Sequence, residues 1–232
     1  MIHSYDEHSA LPVARDFMNE LDRKPAKIRF KIRVEDVMRL CTFFYGQTEP
    51  FIRSNQDFSL LPVNDRSIVL HSAIDSVSCL GSGFLLRQSG LITNSAFCQG
   101  LENTFGSIPY NFTMKTISLL DDDGDIVKLT LSIIAFCTST CTIFEKETSL
   151  SYVKDYRALL RIQNTYAEIM WKYLVYRYTY PQAVVRFTRI VQCLIVALTV
   201  KTHLQSVKNH TDAIDSLIEK ITQDQQMNID YT

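Results

Sequence analysis

The chain is poor in the residues that turn sheets. Seven Gly and six Pro in 232 residues are too few for the many short strands of a sandwich or barrel. Net charge is also lacking: 24 Lys and Arg stand against 25 Asp and Glu. No overall field therefore draws the chain to nucleic acid or an acidic membrane. The six cysteines, Cys41, Cys79, Cys98, Cys137, Cys141 and Cys193, form no C-x-x-C pair and sit mostly in apolar runs. They read as buried, reduced thiols of an intracellular protein rather than a disulfide framework. The opening MIHSYDEHSALP is polar, so no secretory signal peptide is expected, and the sequons at Asn111 and Asn209 read as chance. The most membrane-like window, 126–144, holds Lys128 and many Ser and Thr. The apolar run 190–200 is too short to cross roughly 30 Å of hydrocarbon, so no membrane contact is expected. Catalytic signatures are missing too: there is no Gly-x-Ser-x-Gly, phosphate loop or His-Glu-x-x-His. The five histidines, His3, His8, His71, His203 and His210, are scattered. An enzyme is not expected, and His71 reads as a surface residue.

What the chain does have is long helical periodicity. At 46% hydrophobic residues, a chain of this length can bury roughly 70–75% of its unfolded surface in one core. Val13, Phe17 and Leu21 predict a short amphipathic helix over 10–21. Lys27, Arg29, Lys31 and Arg33 then alternate with Ile28, Phe30 and Ile32, which favours an extended basic segment. It reads as a solvated linker edge in preference to a nuclear-import or phosphate-binding patch. Val34, Val37, Met38, Cys41 and Phe44 predict a longer helix, kinked near Pro50. Residues 65–87 read as one long helix or two abutting ones, apolar on most faces. Gly90 and Asn94 mark 88–95 as a turn with room for one small β-hairpin. Short helices are predicted over 97–105 and 113–120, and longer ones over 126–144, 153–178 and 182–207. The acidic turn DDDGD at 121–125 lacks the alternating ligands and terminal Glu of a calcium loop, so no metal is expected there. Thr211 reads as the N-cap of a terminal amphipathic helix carrying Ile214, Leu217, Ile218 and Ile221. The polar residues 222–232 read as a disordered tail. The expected organisation is a helix and basic linker over 1–33, an all-α domain of about ten to twelve helices over 34–221, and that tail.

One stretch organises the rest. In FSLLPVNDRSIVL at 58–70, Phe58 and Leu61 share a helix face, Pro62 breaks the helix, and Asn64 and Asp65 precede a buried one. The pattern Phe-x-x-Leu-x-x-x-Asp-Arg-x-x-Val-Leu resembles the junction of the third and fourth helices in the nuclear receptor ligand-binding domain. That family usually has Gln where Arg66 stands. Further on, 162–169 (IQNTYAEI) is similar to the receptors' Leu-Gln-x-x-Tyr stretch. Pro181 followed by Arg186 and Phe187 is similar to the start of their tenth helix, and 132–136 (SIIAF) falls where they have an apolar core. The matches keep their order over about 34–207.

The resemblance implies a three-layer antiparallel helical sandwich around an apolar pocket. It also implies a nuclear function, or one shared between nucleus and cytoplasm: binding a lipophilic small molecule and recruiting an LxxLL-type coregulator helix to regulate transcription. The alternative is a degenerate receptor-like protein that acts only as a dimerisation or interaction module. By projection onto the family, the ligand pocket takes Val37, Cys41, Phe44, Ser78, Cys79 and Ser82, with Arg87 as an anchor for an acidic or carbonyl ligand. The coregulator groove takes Arg53, which stands where the family has a helix-clamping Lys, together with Arg66, Ser67 and Leu70. Glu219 is the second clamp. Gly46 and Glu49 replace apolar groove residues, and Ser216 and Lys220 break the pattern around Glu219. A homo- or heterodimer is implied through the tenth-helix region, where Arg186, Gln192 and Lys201 alternate with apolar residues. The paired-cysteine spacing of the receptors' zinc-bound DNA-binding domain is absent, so no metal, cofactor or direct nucleic-acid contact is expected of this chain.

Overall fold

Most stretches of helical periodicity become helices; the one expected over 126–144 ends at Ala135, and its residues 138–144 lie outside the described residues. The structure is a computed structural model of the chain, describing residues 7–23, 32–137 and 154–229. Among the described residues there is no strand. The helices in order are α1 (Glu7–Arg23), α2 (Val34–Gly46), α3 (Thr48–Arg53), α4 (Gln56–Leu60), α5 (Val63–Gln88), α6 (Ser95–Phe105), α7 (Ser107–Leu119), α8 (Gly124–Ala135), α9 (Tyr156–Arg177), α10 (Tyr180–Leu204) and α11 (Lys208–Ile229). The fold is all-α.

Side-chain caps set several boundaries. Asn55 accepts from the Asp57 and Phe58 N–H groups at α4, Asn94 from Phe97 at α6, Asp123 from Asp125 at α8 and Asp155 from Ala158 at α9. Each satisfies an N–H that has no intrahelical partner. Pro50 lies in the first turn of α3, where its missing N–H costs nothing, and the break with α2 falls at Gln47.

The single helix α5 is the hub. From Val69 to Leu86 it is buried on almost every side, and it packs against α2, α7, α8 and α10. Its start is tied to a distant part of the chain. Asp65 is fully buried, and its carboxylate accepts the Lys154 and Asp155 N–H groups at 3.0 and 3.1 Å. The corner at Pro62 and Asp65 thereby anchors the beginning of α9. Gly83 lets α7 come close: a Cβ there would sit 3.1 Å from Ile117 Cγ1.

Several expectations need correction. The 88–95 segment is a turn with one 3-10 helix, Leu91–Thr93, and not a hairpin. Gly90 at φ +76° reverses the chain, and the Thr93 and Asn94 N–H groups bond to carbonyls three residues back, not across a ladder. In α1 the inward face is Ala10, Ala14, Phe17 and Leu21, with Val13 exposed; small Ala residues let this helix lie close. The last helix starts at Lys208, so Thr211 is already inside it, its hydroxyl donating to the Lys208 carbonyl. The same helix continues to Ile229, so 222–229 are helical. The basic residues 24–31 and the stretch 138–153 lie outside the described residues.

Among the described residues, two helices, α5 and α10, are long and apolar enough to cross a membrane by length and composition. The apolar run at 190–200 is part of a 25-residue helix. In α5 the apolar window is mostly inside the molecule, whereas only 28% of the α10 window is.

Candidate functional site

Three of the residues projected onto a pocket meet on one small cavity. Cys41 and Tyr45, four apart on α2, face Cys79, Ser82 and Leu86 on α5. The α6, α7 and α10 walls come from Leu101 and Phe105, Tyr110 and Thr113, and Val200 and Leu204. The cavity measures about 40 Å³. That holds one or two waters and is far below the roughly 300–1,000 Å³ of a site for a drug-sized ligand. Burial pushes the Cys41 thiol up to about 12. Cys79 is pushed well up by burial first and by Asp75 second, with Lys201 opposing. Both stay protonated at neutral pH, which removes them as nucleophiles.

The other projected pocket residues do not line this cavity. Val37, Phe44 and Ser78 are fully buried in the core, the Ser78 hydroxyl lying 2.9 Å from that of Thr48. Arg87 is engaged elsewhere. It donates to the carbonyls of Ile117 at 3.4 Å, Leu120 at 2.7 Å and Asp121, where it caps the C-terminal end of α7.

Behind the cavity lies a polar cluster that the sequence reading passed over. His210, only 1% exposed, has Nε2 2.9 Å from Asp75 Oδ1 and Nδ1 3.2 Å from the Tyr45 hydroxyl. Cys79 Sγ donates to the same Asp75 oxygen at 3.8 Å. The tautomer decides which ring nitrogen donates. Asp75 and Cys79 are four apart on one helix, a legible spacing; that His210 joins them from 135 residues away is a tertiary fact.

Of the residues projected onto a coregulator groove, one is not at the surface. Leu70 is fully buried because it lies on the α5 face turned into the core, so it is no part of a groove wall. Arg66 is half-buried, and Arg53 and Glu219 are exposed. Arg53 Nε donates to Glu49 on its own helix at 2.6 Å, which partly neutralises the cation meant to clamp a partner. His71, read as a surface residue, is half-buried, with its Nε2 lacking a hydrogen-bond partner and its pKa lowered by burial.

A second, wider concavity lies elsewhere. A cleft of about 560 Å³ runs along Leu120, Asp121, Asp122, Tyr178, Pro181, Arg186 and Arg189. Its cations are already in use: Arg186 pairs with Asp121 at 2.5 Å and lies 4.1 Å over the Tyr178 ring. Arg189 donates to the carbonyls of Leu119, at 3.2 Å, and Ser118. With Arg87, three guanidinium groups converge on the α7–α8 junction, so size alone does not make this cleft the binding site. Next to it, α10 presents exposed Val184, Val185, Val191 and Ile195.

Against known proteins, the chain matches no family model and no curated sequence.

Proposed function

We propose that the chain is a nuclear-receptor-like ligand-binding module that takes a lipophilic small molecule and recruits an LxxLL-type coregulator helix to regulate transcription in the nucleus. The observation that carries this reading is the meeting of Cys41, Cys79 and Ser82 on one small, largely apolar cavity walled by α2, α5, α6, α7 and α10. Apolar walls with a few hydroxyl and thiol groups suit a lipid-like molecule held by few hydrogen bonds. At about 40 Å³ the cavity has to open, so binding would be coupled to movement of its walls and of α11, which packs on α2, α5 and α6. The test is native mass spectrometry of the full chain after exposure to a lipid extract, with LxxLL-peptide binding measured before and after. A retained lipid that strengthens peptide binding supports the reading; neither lipid nor peptide binding removes it.

A second reading is a receptor-like protein that only dimerises. The exposed apolar side of α10 and the ion pair that occupies Arg53 favour it. A stable dimer in sedimentation, with no bound lipid, selects it.

A further inference from the structure

We propose that Asp75, Cys79 and His210 bind a divalent transition-metal ion of the zinc class, fastening the last helix to the central one. The three ligand atoms lie within 4.8 Å of one another, contributed by two turns of α5 and the first turn of α11. In a tetrahedral zinc site, bond lengths of about 2.0–2.3 Å place donor atoms about 3.3–3.7 Å apart. Here sulfur and oxygen are 3.8 Å apart and nitrogen and oxygen 2.9 Å, so small side-chain shifts open the space between them. The donor set of one nitrogen, one oxygen and one sulfur suits zinc or cobalt, and excludes calcium and magnesium, which prefer oxygen alone.

The surroundings are those a bound ion needs. With Nε2 on the metal, His210 keeps its proton on Nδ1 and donates it to the Tyr45 hydroxyl, 3.2 Å away; such a partner fixes ring tautomer and orientation. Cys79 and Tyr45 also border the cavity of about 40 Å³, which has room for a water as fourth ligand. Charge balances: the Asp75 carboxylate and a Cys79 thiolate neutralise the dication, and the thiol proton leaves to solvent as the metal–sulfur bond forms.

The consequence is mechanical. Apart from His210, the described part of α11 buries only Ile214 and Ile221. Metal occupancy would therefore decide how firmly this helix is held, whether or not the cavity takes a lipid.

The test uses the full chain, reduced and stripped with chelator, then titrated with Zn²⁺ or Co²⁺ alone. One equivalent is expected, with a thiolate-to-cobalt charge-transfer band and slowed amide exchange over 208–221. Cys79→Ser and His210→Ala should each weaken binding by more than the roughly 10–100-fold that loss of an outer-shell partner costs. Cys98→Ala, outside the cluster, should bind as the parent does. Should His210→Ala fail to fold, Tyr45→Phe keeps the ligands and should weaken binding by about 10–100-fold. The proposal is overturned if no equivalent binds, if the cobalt spectrum has no thiolate band, or if Cys79→Ser binds as tightly as the parent.

Discussion

Asn55 and Tyr166 are 111 residues apart in the chain, and their Nδ2 and Oη atoms are 2.8 Å apart. The same hydroxyl donates to Asp57 Oδ2 at 2.8 Å, while Asn55 Oδ1 caps α4. One phenol thus joins the central corner to α9. Tyr166→Phe should strand the buried Asn55 amide and cost about 1–3 kcal/mol. That corresponds to a fall in Tm of about 2–4 °C per kcal/mol for a chain of this size. Thermal and urea unfolding check it, and a change below about 0.5 kcal/mol would show the hydroxyl to be dispensable.

Alkaline pH should weaken the fold. Burial, followed by the Asp57 bond, raises the Tyr166 phenol to about 12 from 10.0. Burial alone raises the Cys41 thiol to about 12 from 9.0. The folded chain therefore holds protons that the unfolded chain releases. Stability from these groups is complete below pH 9, then falls as pH rises towards 12. Urea midpoints from pH 8 to 11 should decline, and Cys41→Ala should flatten the slope above pH 9.

Arg87 behaves as a structural clamp, so its loss should be felt without any ligand. Arg87→Met keeps much of the stem and removes the donors to the Ile117, Leu120 and Asp121 carbonyls. A cost of about 1.5–3 kcal/mol is expected for bonds from a charged donor. Unchanged stability of the ligand-free chain would return Arg87 to the role of ligand anchor.

Leu101, almost fully buried on the cavity wall, offers a way in. Leu101→Ala should destabilise by about 2–5 kcal/mol and leave added space. A small apolar compound filling that space should raise the variant's Tm while leaving the parent's unchanged. No rise with any such compound would mean the walls had collapsed.

The apolar side of α10 should matter for association and not for folding. Val185→Glu and Ile195→Glu sit at exposed positions, so stability should stay within about 0.5 kcal/mol. If this face pairs, sedimentation should show a parent dimer and a variant monomer. A dimer unaffected by both substitutions would place the contact elsewhere.

The all-α class was legible because helical spacing and the scarcity of Gly and Pro act along the chain itself. The break at Pro62 was legible for the same reason, but the next helix begins at Val63. Asn64 and Asp65 therefore lie inside its first turn and do not precede it, and Asp65 accepts from Lys154 and Asp155 instead. Errors came where distant contacts decide. Val13 has the right spacing for a core face, yet the small Ala10 and Ala14 take it. Leu70 fits a groove motif but lies on the inward side of a helix surrounded by others. Arg87 looked like a ligand anchor until its three carbonyl partners, 30 to 34 residues on, were in place. Within the cavity, Cys41, Cys79 and Ser82 followed from helix phase, whereas the α6 and α10 walls have no local signature. His210 likewise joins Asp75 only once α11 has folded back.

At Gly83 the central rod and Ile117 approach closely, with 3.1 Å between a would-be Cβ and Ile117 Cγ1. A methyl group there would press on the Ile117 side chain of α7, which would have to give by a few tenths of an ångström. That helix carries Tyr110 and Thr113, and its far end is the knuckle gripped by the three arginines. The seating of one cavity wall thus depends on a residue that is not among the cavity's lining.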